Sequence, residues 1–542
     1  MLMNRMTQSD PIHIGFLVLL FFLSPLYLIL SIVSTHSIDA TNKSSQNHFF
    51  GPGSSSGGLI MDSPSLLLRR RRDSNSHTNT SISKGIVSIE EVISFLSDWI
   101  HTLEHKLVAL QGHDYTEIWE AYYQHAKGAL IPWDDSYLTQ QMPLRRKDGS
   151  IFLSLASFRD ENCPNTLHEA YTKAAQPKLL FVGLVQQNCY DHCHSGVQAQ
   201  GGTVSIPPDD DCYDIFCKAH PSYCPNVRLL PMTENESLGP YAARFFASKL
   251  WWGESWYMQI DAHTLFVQNW DSSSIDMLHQ APSEKPVISH YPPGHKMDLT
   301  AQALKPGGRL CGPTFATNPT ENQMIRLEGL GRYDRTKIDI PRFAPFVAAG
   351  YFLAHSDFLR EVPFDPLLPW IFMGEEIIMS TRLWTSGYDI FSPSHAVVSH
   401  IYKREHKPKF WESIHRFLQG DQGNQLEILV LNRIKHQLGY PESARDFIPK
   451  QLGKTLLAHL PRYGMGKVRP LKDYLKSVGL DVIEKAVTIT KWCETGRVPP
   501  GMEHLQHLYP IENYVEEEQD AHAKENAERI KARKLTKQGR GD

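Results

Sequence analysis

Between residues 151 and 266 the chain alternates short apolar runs with stretches of helical periodicity, and no other feature restricts its fold as tightly. The runs Ile151-Phe-Leu-Ser-Leu-Ala156, Lys178-Leu-Leu-Phe-Val-Gly-Leu-Val185, Val227-Arg-Leu-Leu-Pro-Met232 and Trp256-Tyr-Met-Gln-Ile-Asp261 read as strands. Thr166 to Ala175 and Gly239 to Leu250 read as the helices between them. Strands that alternate with helices return in one direction, which implies a doubly wound, mostly parallel α/β sheet with ligands at the strands' C-terminal ends. Asp261 and His263 lie at such an end. In a strand, residues i and i+2 point the same way, so these two converge while Ala262 leaves room between them. A carboxylate beside an imidazole suits a divalent ion of intermediate softness such as Mn²⁺, and leaves positions open for a phosphate-bearing substrate.

With 542 residues, 41% of them hydrophobic, the chain can bury a large core. Its formal net charge of -4, without a basic face interleaved with aromatics, excludes a nucleic-acid polymer as partner. Residues Ile12 to Val33 form an apolar run long enough to span a bilayer, which takes about 20 residues. Its length favours an uncleaved signal anchor over a cleaved signal peptide, and Arg5 before it favours a cytosolic N-terminus with the bulk in the lumen. The sequons at Asn42, Asn79 and Asn235 agree with that placement. So do eight cysteines, of which Cys189, Cys193, Cys212, Cys217 and Cys224 crowd one segment. Cys189-Tyr-Asp-His192-Cys193-His194 also reads as a zinc site, but disulfides of undetermined pairing are preferred, since no second paired-ligand spacing follows.

The expected organisation is a cytosolic segment 1–11, a transmembrane anchor 12–33, a flexible stem 34–84, a helical neck 85–148, a catalytic domain 149–415, a helical extension 416–515 and a charged tail 516–542. Arg69-Arg-Arg-Arg72 in the stem is a basic linker run or a protease site. In the neck, Ser88-Ile-Glu-Glu91 reads as a capping box, followed at helical spacing by Ile89, Val92, Ile93, Leu96, Trp99, Ile100, Leu103 and Leu107. This stripe is expected to pack on the chain's own domain or on the next helix, about Asp114 to Gly128.

Four segments carry a family resemblance: Ile151 to Glu161, Phe181 to Asn188, Met258-Gln-Ile-Asp-Ala-His263 and Met373-Gly-Glu375-Glu376. Together they resemble the polypeptide N-acetylglucosaminyltransferases that modify hydroxyproline or Ser/Thr. The resemblance spans roughly residues 149 to 480. It implies a GT-A fold, UDP-N-acetylglucosamine as donor, a divalent cation, a protein acceptor and retention of the α configuration. Phe372 to Glu376, Arg382-Leu-Trp384 and Ser399-His400-Ile-Tyr-Lys403 also resemble a block of the mucin-type polypeptide N-acetylgalactosaminyltransferases. By that similarity His400 is the third metal ligand beside Asp261 and His263.

Several roles follow as expectations. Arg159, Asp160 and Gln187 contact the nucleotide, with Asp160 at the uridine or ribose, and Arg244 assists the diphosphate. Glu375 faces the donor sugar or the acceptor hydroxyl, with Glu376 as its substitute. Neither is a general base, because in a retaining reaction the departing phosphate can take the acceptor proton. Trp370 and Trp384 are core or platform residues, and the Gly307 to Thr314 loop is either acceptor-side or a plain turn. The anchor, sequons and cysteines point to a Golgi membrane protein with a lumenal catalytic domain, with the endoplasmic reticulum or secretion after cleavage as other destinations. The C-terminal part has no evident Gln-x-Trp lectin repeat, which favours the N-acetylglucosamine branch. Two alternatives stay open: a mucin-type transferase using UDP-N-acetylgalactosamine, and a non-catalytic binding protein on a transferase scaffold.

Overall fold

The computed structural model describes residues 88–194, 205–297, 299, 309–319, 321–328, 340–404, 407–410, 422–441, 452–488 and 491–509. The expected anchor 12–33, the stem with its tetra-arginine run, the sequons at Asn42 and Asn79 and the tail 516–542 lie outside them. Among the described residues no helix is long and apolar enough to cross a membrane.

The strands are β1 (Ile151–Phe158), β2 (Leu180–Asn188), β3 (Val227–Thr233), β4 (Trp256–Asp261), β5 (Thr264–Phe266), β6 (Pro286–Ser289), β7 (Gly312–Phe315), β8 (Ile325–Glu328), β9 (Arg342–Phe343), β10 (Tyr351–His355), β11 (Asp389–Ser392) and β12 (Val398–His400). Eight of them form one sheet in the order β3-β2-β1-β4-β10-β6-β11-β9. β1, β2, β3 and β4 pair in parallel, as the strand and helix alternation requires. β10 runs antiparallel between β4 and β6, so the fold is mixed α/β with a mostly parallel sheet. The winding reverses between β1 and β4, and this switch point opens a crevice beyond their C-terminal ends.

The first crossover helix is Cys163–Thr172, three residues ahead of the expected span. Pro164 in the first turn allows the earlier start, since its missing N–H has no helical partner there. Ala175 and Gln176 leave the helix to donate their N–H groups to the Asp271 carboxylate at 2.7 and 2.8 Å.

The neck helix Ile89–Val108 carries the capping box at Ser88 and Glu91 and buries Val92, Leu96, Trp99, Ile100, Leu103 and Leu107. This face joins the main core. Helix Gln422–Leu438 joins the same core from the C-terminal side. Its Arg433, fully buried, forks onto Asp365 at 2.7 and 3.2 Å and also donates to the carbonyls of Leu456 and Ala458.

All eight cysteines are paired, as Cys163–Cys212, Cys189–Cys193, Cys217–Cys224 and Cys311–Cys493. The zinc reading of Cys189 and Cys193 is thereby set aside, because a metal needs their thiolates free. Cys311–Cys493 fastens the segment before β7 to a C-terminal helix 182 residues away.

Burying Arg433 and Asp365 is tolerable only while each neutralises the other, so an unpaired survivor is costly. Asp365→Ala should lose about 3–5 kcal/mol of stability, measured by chemical denaturation of the full chain.

Candidate metal and ligand site

β4 ends at Asp261, and Ala262 and His263 form a turn before β5 starts at Thr264. Asp261 and His263 therefore converge across a turn, in place of the expected alternate positions on one strand. The Asp261 and Ala262 carbonyls fix that turn by accepting from the hydroxyls of Thr264 (2.8 Å) and Thr166 (3.0 Å). β5 pairs antiparallel with β12, which sets Thr264 opposite His400. One ligand atom from each of Asp261, His263 and His400 lies within 4.8 Å of the others.

The remaining atoms of the three side chains show that the set fits a cation. His263 Nδ1 sits 2.7 Å from Asp160 Oδ2, which leaves Nε2 as its available ligand atom. A carboxylate holding the far nitrogen of a histidine is the usual support of a metal-bound imidazole. Asp160 also accepts from Arg404 Nη1 at 3.0 Å and from the Asn162 N–H at 3.0 Å. Burial would raise the Asp160 pKa, but the His263 hydrogen bond and the charges of His263 and Arg404 outweigh it and hold the carboxyl below its ordinary value. His400 Nε2 lies 3.0 Å from Asp261 Oδ2, while its Nδ1 is buried without a partner. Asp261 Oδ1 accepts from Arg244 Nη2 at 2.8 Å. Burial again opposes ionisation, yet His400, Arg244 and His263 keep Asp261 far below the carboxylate range. A Cβ on Gly350 would lie 2.9 Å from Asp261 Oδ2, so a side chain there would displace this carboxylate.

These groups line a cavity of about 620 Å³. Arg244, on helix Pro240–Ser248, is buried and bridges Asp261 to Glu375. Glu375 and Glu376 open helix Glu375–Thr385 after Gly374, whose φ of 90° suits glycine. Their side chains diverge. Glu375 is bound by Arg244 and by Gln259 Nε2 at 3.2 Å, whereas Glu376 accepts from the Tyr291 hydroxyl at 2.5 Å and the Ala349 N–H at 2.9 Å. Burial, offset in part by those two donors, pushes Glu376 up to about 7. Phe372 and Tyr402, 47% and 58% exposed, are the open aromatic residues of the cavity wall.

Asp160, Gln187, Arg244, Asp261, His263, Glu375, Glu376 and His400 all line the cavity. Asp160 stands behind His263, and Gln187 accepts from the Ser237 hydroxyl at 2.6 Å. Arg159 is not brought into the wall. Its backbone has φ 48°, and its guanidinium forks onto Asp209 at 2.8 and 3.3 Å, bracing the cysteine-rich segment. Trp370 packs in the core against Tyr122, and Trp384 packs against Tyr474 and Arg469. The segment of the Gly307 to Thr314 loop that is described carries Cys311 and runs into β7, which pairs with β8, whose Ile325, Arg326 and Leu327 line the cavity. Arg404, Tyr291 and Gly350 carried no local signal, and Gln259 stood in the Met258 to His263 block with no role assigned. Each becomes legible only once β4, β6, β10 and β12 are assembled.

The arrangement is that of an α/β protein whose cavity, at the switch point of its sheet, brings one carboxylate and two imidazoles within reach of a single ion. Residues 150–484, more than half of the chain, match the family model Glycosyltransferase (GlcNAc). The chain belongs to that glycosyltransferase family. No curated protein matches it. Among solved structures it is similar to GalNAc-T7 with UDP, GalNAc and Mn²⁺, at 14% identity and a TM-score of 0.38, over 64% of this chain and 62% of that one. It is also similar to S. aureus TarS 1–349, at 13% identity and a TM-score of 0.27 over 64% of this chain and 92% of that one. For the TarS complex with UDP-GlcNAc the values are 14%, 0.29, 64% and 92%.

Two outcomes follow. Asp160→Asn should weaken Mn²⁺ binding about 10–100-fold in calorimetric titration, since it loosens His263 without removing a ligand. Glu376 ionises near 4.5 when unfolded and about 7 when folded, so the unfolded chain releases this proton first as pH rises. Its contribution to stability is whole below 4.5 and falls by on the order of 3 kcal/mol as pH passes through about 7. Urea midpoints of Glu376→Gln should therefore decline less than those of the parent between pH 5 and 8.

Proposed function

We propose that this chain is a metal-dependent, retaining glycosyltransferase of GT-A type that moves N-acetylglucosamine from UDP-N-acetylglucosamine to a hydroxyl of a protein acceptor. The observation that carries this reading is the convergence of Asp261, His263 and His400 in one cavity of a chain belonging to a glycosyltransferase family. In this reading Asp261, His263 and His400 hold the cation, with Asp160 orienting His263. A bound divalent ion stabilises negative charge on a departing diphosphate.

The chain's own residues do the rest. Arg244 fixes the direction of Asp261 through one amine and is itself fixed by Glu375 through the other, so Glu375 positions where it was expected to touch the sugar. Glu376 is the more exposed of the two and faces the donor or acceptor from the Tyr291 side of the cavity. Glu375 is held by Arg244 and Gln259, and Glu376 by Tyr291 and Ala349, so both carboxylates have fixed positions. Retention rests on the family resemblance, in which the leaving phosphate accepts the proton. Phe372 and Tyr402 offer open apolar faces for a sugar or an acceptor peptide. The apolar run 12–33, the sequons and four disulfides support a Golgi membrane location with the cavity in the lumen.

The full chain with Mn²⁺, a Ser/Thr/hydroxyproline peptide library and either UDP-N-acetylglucosamine or UDP-N-acetylgalactosamine tests this reading. Mass spectrometry should find N-acetylhexosamine added from the first donor, with the α linkage by NMR, and none with Asp261→Ala. Transfer from the second donor alone would assign the mucin-type specificity. Metal binding without transfer from either donor would overturn the reading.

A further inference from the structure

Away from the cavity, the neck helix Ile89–Val108 carries His101-Thr-Leu-Glu104-His105. Residues four apart stand one turn above each other on a helix. The two imidazoles accordingly meet, with Nε2 to Nε2 at 3.0 Å and ring centroids 4.4 Å apart. Two nitrogens bound to one zinc-class ion at about 2.0–2.1 Å stand about 2.9–3.4 Å from each other, from right-angled to tetrahedral geometry. A hydrogen bond between one ring's N–H and the other's lone pair would bring them equally close, so the spacing alone does not select an ion. Two neighbouring carboxylates supply the further ligand and the negative charge that an ion needs.

Glu104 contributes a ligand atom that lies, with one from each histidine, in a group no more than 4.8 Å across. Glu236, from the turn after β3, takes His101 Nδ1 at 3.1 Å, and its other oxygen is held by the Thr233 N–H at 2.8 Å. A carboxylate fixed in this way keeps the proton on Nδ1 and leaves Nε2 as a ligand, the same support that Asp160 gives His263 in the cavity. The imidazoles are 47% and 68% exposed, so an ion can reach them and water can complete its shell. The carboxylates of Glu236 and Glu104 are less exposed, at 13% and 19%, and Glu236 is held in place by Thr233. The order His-x-x-Glu-His is also one in which a helix presents two zinc-binding imidazoles on a single face.

We infer that His101, Glu104 and His105 form a second cation site, for a zinc-class divalent ion, with Glu236 orienting His101. Its effect is to tie the neck helix to the turn that ends in Glu236. The chain runs from that turn into Ser237, Gly239 and Pro240, which line the cavity, and the Ser237 hydroxyl holds Gln187. Occupancy of the outer site therefore stiffens one wall of the inner one.

Zn²⁺ alone is the probe, titrated into the full chain against a chromogenic chelator, with visible absorption of Co²⁺ as a second readout. In an Asp261→Ala/His400→Ala background, which silences the cavity, one equivalent of Zn²⁺ should still bind, and saturation should raise Tm by several degrees. Adding His101→Ala/His105→Ala should abolish both effects, and Glu236→Gln should weaken binding about 10–100-fold. If the background variant does not fold, His101→Ala/His105→Ala in the otherwise unchanged chain should drop the stoichiometry from two to one with unchanged Tm in chelator. Equal stoichiometry and affinity with and without the two histidines, or binding seen only at millimolar Zn²⁺, would overturn the inference.

Discussion

Asp261 is the residue on which the rest of the site depends. It closes β4 at the point where the sheet reverses its winding, and each of its oxygens is claimed by a different part of the chain. Arg244 reaches one from the helix before β4, and His400 reaches the other from β12. Gly350 passes so close that a side chain there would displace the carboxylate. A carboxylate at this depth is tolerable only when paired, because desolvation alone would protonate it. The helix at 240–248, the strand before it in the sheet, the β10 entry and the β5/β12 pair must therefore all be in place before the ligand set exists.

The charges of this network are unequal, and the inequality has chemical content. Asp160, Asp261 and Glu375 face Arg244 and Arg404, three carboxylates against two guanidiniums, while Glu376 at about 7 is near half-protonated at neutral pH. Carboxylates outnumber guanidiniums in this network. In the function proposed above, a divalent ion would offset that charge and a diphosphate would offset the ion's. Glu375 belongs to the same balance: its loss would free Arg244 to swing away from Asp261, so its influence on the cation runs through a neighbour.

Much of this was legible in the chain. The four parallel strands fell where short apolar runs stand, because a strand covered on both faces must be apolar throughout. Asp261, His263 and His400 converge as the motif blocks suggest, although His263 reaches the group from a turn. What stayed hidden depended on partners distant in sequence. Arg159 sits in a block resembling nucleotide-binding segments, yet a left-handed backbone and Asp209, fifty residues on, direct it to the cysteine-rich segment. Asp160 lines the cavity as its expected place at the nucleotide requires, while its engagement by His263 and Arg404, 103 and 244 residues away, had no local signal. Cysteine pairing was closed to sequence for the same reason, the longest link spanning 182 residues.

The neck changes the meaning of the catalytic boundary. A segment that merely held the cavity away from a membrane would keep its apolar stripe short or turn it toward a partner. Here Val92, Leu96, Trp99 and Leu103 are essentially fully buried in the core that also contains the helix bearing Arg244, and Trp99 packs 6.2 Å from Phe246 of that helix. Burial of such side chains is worth roughly 1.5–3 kcal/mol each, comparable in sum to the net stability of a whole domain. On the other flank, Trp119 donates to Thr455 at 3.0 Å, and Arg433 locks Asp365, so the C-terminal helices close the same core. The unit that holds Asp261 in place thus runs from the capping box at Ser88, ahead of the family match at 150–484, to the C-terminal helices within that match. A truncation at the first strand would remove part of the wall against which Arg244 is held.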